Sequence, residues 1–245
     1  MDKMLYISMN GARETSLAQA TTANNLANAK TTAFKADLAQ FRAMPVYGEG
    51  LPSRVMSMTE RPGHNLDSGG AVTTGRNLDV AIRGDGWFAV QDDQGEELLT
   101  RRGDLNVNPN GSLLNGAGLP IMGDGGPIAL PPFQKIDIAK DGTITILPLG
   151  SPANATVIVD RIKMVSADPA TLEKNAQGLF KSNQEATFES DASITLESGT
   201  LESSNVSVVE ELSNMIALSR RFEMQVKLMS SVEERGRALD RLLQS

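Results

Sequence analysis

The positions of the prolines decide the layout of this chain. All 11 lie between Pro45 and Pro169, which leaves the first 44 residues and the last 76 without one. Glycine follows the same plan: Gly11 alone precedes Gly48, and after Gly178 come only Gly199 and Gly236. Pro and Gly break helices and punctuate turns. The two ends are therefore free to form long helices, and the middle is cut into short pieces. Formal charge divides in a related way. Residues 1–28 set Lys3 and Arg13 against Asp2 and Glu14, residues 205–245 carry six basic and six acidic side chains, and the net charge of −7 falls between them. A chain this acidic is a poor generic binder of nucleic acid or anionic lipid.

The C-terminal segment carries the clearest helix signal. Asn205 or Ser207 can cap a first turn, and Glu210 and Glu211 follow Ser207 as in a capping box. Acidic residues come early and Arg235, Arg237 and Arg241 come late, which suits the helix dipole. Val208, Leu212, Met215, Phe222, Val226 and Met229 recur with heptad spacing. A second stripe runs through Val209, Ile216, Val232, Leu239 and Leu242. Such a helix would be about 58 Å long at about 1.5 Å per residue, too long for the core of a compact domain of this size.

The N-terminal helix is subtler. Leu5, Met9, Ala12, Ser16, Ala20, Ala23 and Ala27 have helical period but mostly small side chains. The stripe lets another backbone approach closely and buries little area, so the helix is marginal in isolation. The amide-rich run after Thr21 is a poor helix interior by propensity. Its asparagines need fixed hydrogen-bond partners, which a neighbouring helix could supply.

The centre reads as β structure. Leu78–Ile82 alternates, Trp87–Val90 forms a second strand, and Asp85-Gly86 between them is a hairpin signal. Asn110-Gly111 and Asp141-Gly142 mark further hairpins, and residues 143–147 and 155–159 are strand-like. No βαβ alternation is present. The predicted fold class is α+β: long N- and C-terminal helices forming a coiled-coil assembly domain, with a central β-rich domain inserted between them. The boundaries expected are an N-terminal helix and signature segment over 1–35, an extended linker over 36–75, the β domain over 76–184, a return linker over 185–202 and the C-terminal helix over 203–245.

Composition removes most catalytic chemistry. There is no cysteine and a single histidine, His64, so thiolate nucleophiles, disulfide scaffolds, Cys-ligated metals and His clusters are excluded. Gly84-x-Gly86-x-x-Ala89 has the spacing of a dinucleotide fingerprint, but a strand follows it where a helix is required. Asn106-x-Asn108-x-Asn110 has the spacing of a calcium loop without its carboxylates. Arg83-Gly84-Asp85 spells an adhesion tripeptide and is read here as turn chemistry. The acidic pairs Asp92-Asp93 and Glu96-Glu97 flank Gly95 and read as a solvated turn. His64, beside Gly63, reads as a loop residue. No catalytic residue, cofactor or metal is expected. No apolar run approaches the roughly 18 residues that cross a bilayer, and the first residues contain no apolar core of a secretory signal.

Four stretches in chain order carry a family resemblance. Ala23-Asn24-Asn25-Leu26-Ala27-Asn28 with Thr31-Thr32-Ala33-Phe34-Lys35 resembles the N-terminal signature of the bacterial flagellar rod–hook family, with Ala33 where that family usually has Gly. Residues 77–90 and 100–113 resemble the first hairpins of its central domain, with Leu105 where Phe is common. Gly199–Val206, running into Met215-Ile216 and Arg221-Phe222-Glu223, resembles its C-terminal signature. The length is similar to that of rod subunits with one central domain, and the opening Met1-Asp2-Lys3-Met4-Leu5-Tyr6-Ile7 resembles a proximal-rod member more than a distal-rod one. The resemblance implies a structural subunit that polymerises through its terminal helices into a hollow drive shaft across the periplasm and transmits motor torque. It implies other rod subunits and copies of the same chain as partners, with export through the flagellar type III apparatus and no Sec-type signal. The assembly residues expected are Leu5, Met9, Asn24, Asn25, Leu26, Asn28, Phe34, Val208, Leu212, Met215, Phe222, Val226 and Met229. The competing readings are a distal-rod subunit, a wall-cleaving hydrolase, a periplasmic wall-binding protein and a secreted coiled-coil adhesin. None of the last three accounts for four ordered signatures.

Overall fold

Two helices and a series of short antiparallel strands make up the structure, a computed structural model that describes residues 4–45, 55–60, 63–152, 154–182 and 188–243. The chain divides into two units, one of Met1–Ala29, Ala36–Asn65 and Val206–Ser245, the other of Lys30–Lys35 and Leu66–Asn205. By sequence, the second unit holds 12 Lys and Arg against 19 Asp and Glu, so it carries the whole −7 and the first unit is neutral.

The first unit contains α1 (Met4–Ala27), α2 (Val208–Leu243) and a hairpin of β1 (Gln40–Pro45) with β2 (Val55–Glu60). The α2 helix starts where its cap places it: the Ser207 carbonyl accepts from Glu211 N–H at 3.0 Å, and Ser207 Oγ from Glu210 N–H at 3.4 Å. At 36 residues it is about 54 Å long. The hairpin lies inside the span expected as an extended linker. Its signal is weak, because Pro45 ends one strand and Ser57, Thr59 and Glu60 dilute the apolar residues of the other. It docks on α1 through polar bonds. Asn10 Nδ2 donates to Ser57 O at 2.6 Å, and the buried Glu14 accepts from Thr59 N–H at 2.7 Å. At the root of the hairpin His64 Nδ1 lies 2.8 Å from Asp37 Oδ1. His64 is thus part of a polar fastening rather than a bare loop residue.

The second unit is built on a five-stranded antiparallel sheet in the order Met164–Val165, Trp87–Gln91, Glu97–Thr100, Phe180–Ser182, Leu172–Lys174. Its second strand is buried on both faces: Phe88 and Val90 enter one aliphatic cluster, Trp87 and Ala89 the other. A three-stranded sheet of Phe133–Ile138, Thr143–Pro148 and Val157–Arg161 adds Ile136, Ile138, Ile144 and Ile146 to the larger cluster. The Asn110-Gly111 and Asp141-Gly142 turns sit between paired strands as their chemistry requires. Gly103 is required for close approach, because a Cβ there would lie 1.8 Å from Val80 O. This unit extends beyond 76–184 at both ends. Thr195–Ser198 pairs with Val80–Arg83, Thr200–Glu202 pairs with Ala71–Thr73, and Leu196 joins the core. The expected return linker therefore contains two β strands.

Candidate assembly interface

The two helices pack antiparallel through a polar seam. Thr15 Oγ1 lies 3.1 Å from Gln225 Oε1, Gln19 Nε2 3.3 Å from Ser219 Oγ, and Asn25 Nδ2 2.8 Å from Glu211 Oε1. On α1 the packed face is Ser8, Ala12, Thr15, Ala18, Thr22 and Asn25. Burying hydroxyls is normally costly. Here Ser8 and Thr15 donate back to the carbonyls of Met4 and Gly11, at 3.0 and 2.8 Å. The hydroxyls are satisfied within their own helix, and their small size lets the backbones approach. Gly11 marks the tightest point, since a Cβ there would lie 2.6 Å from Gln225 Nε2.

The α2 face opposite follows a heptad through Glu211, Met215, Leu218, Gln225, Met229 and Val232, all buried or half-buried. Leu218 is the most deeply buried of these. The residues expected as one assembly stripe are thus divided. Met215, Phe222 and Met229 share the phase of the packed heptad, with Phe222 at its edge, whereas Val208, Leu212 and Val226 are exposed. On α1, Leu5 and Met9 are exposed, and of the small-residue stripe only Ala12 is buried. Val209 at 76% and Ile216 at 56% exposure extend the bare apolar surface of α2. Sequence reasoning passed over Leu218 and Gln225 because neither lies on the more apolar stripe.

The asparagines also separate. Asn25 is 3% exposed and makes three bonds: Nδ2 donates to Glu211 and, at 2.9 Å, to Asp37 O, while Oδ1 accepts from Asp37 N–H at 2.9 Å. Asn24 is exposed and Leu26 half-buried, and Asn28 Nδ2 donates to Asn24 O at 3.0 Å. The partner that the amide-rich run needed is supplied for Asn25 by α2.

The remaining signature residues lie in the other unit. Phe34 is half-buried, with Lys174 Nζ 4.0 Å from the centre of its ring. Lys35, 1% exposed, donates to Glu202 Oε1 at 2.7 Å and to Asp67 O at 2.8 Å. Glu202 Oε2 lies 3.3 Å from Arg101 Nη1, and both residues are buried. Burial shifts the Lys35 ammonium downward from its ordinary pKa, against the opposing pull of Glu202. Ala33 adopts φ +54°, the left-handed region that glycine favours. The two terminal signatures therefore meet: Ala33 N–H donates to Glu202 O at 2.9 Å and Asn205 N–H to Phe34 O at 3.2 Å.

Three family models match in chain order: "Flagella basal body rod protein" over residues 5–35, "Flagellar hook protein FlgE/F/G D1 domain" over 81–146 and "Flagellar basal body rod FlgEFG protein C-terminal" over 197–242. The chain is 42% identical over 249 residues to the flagellar basal-body rod protein FlgF of Escherichia coli K12, covering 99% of both chains. This chain belongs to the flagellar basal-body rod family. The FlgF of Salmonella typhimurium LT2 is 44% identical over 245 residues, 97% of each chain. The rod protein FlgG of Buchnera aphidicola (Acyrthosiphon pisum) is 30% identical over 261 residues, with 97% of this chain and 98% of that one covered. The rod protein described here is a structural subunit located in the flagellar basal body. The first matched segment spans α1 and the signature through Lys35, and the last spans Glu202 and nearly all of α2.

Proposed function

We propose that this chain is a proximal-rod subunit that polymerises with copies of itself and with other rod subunits through the outward faces of α1 and α2. It is exported unfolded through the flagellar type III apparatus, and the assembled shaft transmits motor torque. It has no catalytic role. The observation that carries this reading is the bare apolar surface of α2 at Val208, Val209, Leu212 and Ile216, in a unit of zero net charge. Contiguous exposed apolar surface marks interaction sites, and a neutral unit approaches its copies without the repulsion that the −7 unit would impose. The central β domain, with 76–184 at its heart, is the solvated body of the subunit. Leu5 and Met9 on α1 extend the same kind of surface at its other end.

The test is Leu212→Asp in the full chain, compared with Leu218→Asp. Leu212 is 45% exposed, so its replacement should leave the monomer's melting unchanged and abolish recovery in purified basal bodies and motility. Leu218→Asp should lower monomer stability itself. Normal incorporation of the Leu212→Asp protein would refute the reading.

A further inference from the structure

The Lys35–Glu202–Arg101 cluster holds two cations against one carboxylate, all three nearly inaccessible to solvent. Arg101 is incompletely satisfied. Its Nη2 donates to Gly84 O at 2.7 Å, but the buried Nε makes no hydrogen bond among the described residues. A guanidinium offers a planar fork that matches a carboxylate with two parallel bonds, and here it contributes one long contact. Glu202 is shared: Oε1 is taken by Lys35 and Gly69 N–H, and Oε2 alone faces Arg101. What Lys35 holds down is a short peptide. Residues 33–35 are bound by Glu202 O, Asn205 N–H and the Lys174 ammonium, which donates to Lys35 O at 2.8 Å.

We propose that residues 30–35 form a releasable strap: Lys35 fastens it to Glu202, and Arg101 is positioned to take Glu202 over when the strap leaves. The docked state sets two buried cations on one buried carboxylate, with Asp67 as a further anion near Lys35, and desolvation outweighs both anions in working against a protonated Lys35, so the fastening is poised rather than locked. The released state removes one of the two cations and lets Arg101 use its unpaired Nε on the same carboxylate. Strain points the same way, since Ala33 gives up its left-handed backbone on release. Release frees six residues, up to about 20 Å of extended chain, in the run that joins α1 to Ala36. The device thus sets whether residues 30–35 are fastened at Glu202 or free. It goes beyond the polymerisation reading and stands on the geometry of a single unit.

The chain contains a single tryptophan, Trp87, and Arg101 lies 5.5 Å from its ring centroid, so emission from Trp87 reports the state of the cluster. The experiment uses amide exchange by mass spectrometry and Trp87 emission on the full chain, wild type against Lys35→Met and Arg101→Met. In the wild type, the peptide spanning 30–36 should exchange at least tenfold faster than strand 143–148. Lys35→Met should accelerate the strap at least tenfold further and shift Trp87 emission, leaving 143–148 unchanged. Arg101→Met removes the competitor and the second cation, so it should slow strap exchange, whereas a purely structural arginine would loosen it when lost. Equal exchange of strap and core in the wild type would overturn the proposal, because release would then require global unfolding. Lys35→Met without effect on strap or emission would overturn it as well, and so would acceleration by Arg101→Met.

Discussion

Asn25→Asp exchanges one nitrogen for an oxygen at nearly constant volume and removes two hydrogen bonds. Asn25 Nδ2 donates to Asp37 O at 2.9 Å and to Glu211 Oε1 at 2.8 Å, and a carboxylate can donate to neither. Losing a neutral bond costs roughly 1 kcal/mol and losing one to a charged acceptor roughly 1.5–3 kcal/mol. The new charge also faces the Glu211 carboxylate, and two like charges about 4–5 Å apart repel by roughly 3–4 kcal/mol at an effective dielectric of 20. Relaxation and partial solvation reduce the sum, and about 3–5 kcal/mol is expected. Asn24→Asp is the matched control. It puts the same charge on the same last turn of α1, so it pays the same dipole cost of about 0.3–1 kcal/mol, but its side chain is exposed. Urea unfolding of the full chain, followed by circular dichroism at 222 nm where the helices dominate, measures both. A difference between the two variants under about 1 kcal/mol would refute the internal role of Asn25.

Ala33→Gly should raise the stability of the central unit by up to about 1 kcal/mol in Trp87-monitored unfolding, since left-handed Ala costs about 1–2 kcal/mol and the added chain entropy of Gly returns about 0.4–1 kcal/mol. Gly103→Ala should prevent that unit from folding, measured as loss of its cooperative Trp87 transition, because the methyl group meets backbone rather than a yielding side chain. Leu218→Ala should cost about 2–3 kcal/mol in helix unfolding, and Ile216→Ala less than about 1. On the acid side, hydrogen bonds from Thr143, Ser193 and Arg83 hold Asp141, Asp191 and Glu197 below their ordinary pKa values. Their stabilisation is present above about pH 4 and is lost as pH falls through the depressed values, so the urea midpoint should drop below pH 4. Lys35 acts in the same direction at the alkaline end. Its folded pKa lies below 10.5, the unfolded chain binds the extra proton, and stability should rise as pH climbs towards 10.5, a rise absent in Lys35→Met.

The helices and two of the hairpins were legible because their signals are local, whereas the Asp85-Gly86 signal misled: Val80–Arg83 pairs with Thr195–Ser198 and Trp87–Gln91 with Glu97–Thr100. Ser207 with Glu210 and Glu211 fixes the start of α2, and Asn110-Gly111 and Asp141-Gly142 force turns whatever surrounds them. The packed face of α1 was not legible. Two stripes with the same helical period run along it, and apolarity selects Leu5 and Met9, whereas packing selects Ser8, Thr15 and Asn25. The reason is that the back-bonded hydroxyls are cheap to bury and small enough for close approach, a property the periodicity of apolar residues does not register. On α2 the same bias favoured Leu212 over Leu218. The β1–β2 hairpin was hidden by prolines and weak alternation. The pairing of Lys35 with Glu202 spans 167 positions, and nothing local to either residue announces it.

The polar seam between α1 and α2 also sets how the subunit responds to temperature. Exposing apolar surface raises the heat capacity on unfolding and exposing polar surface lowers it. A seam in which Ser, Thr, Asn and Gln sit among Met215, Leu218, Met229 and Val232 exposes less of the first than an aliphatic core does, so the helical unit should have the shallower stability curve. The β unit releases a core of Phe, Leu and Ile and has a strongly arched one. Two units on one chain thus carry different thermal signatures. Cooling weakens the aliphatic body more than the helix pair, so the grip between the helices holds nearly constant across the range in which the body's own stability passes through its maximum.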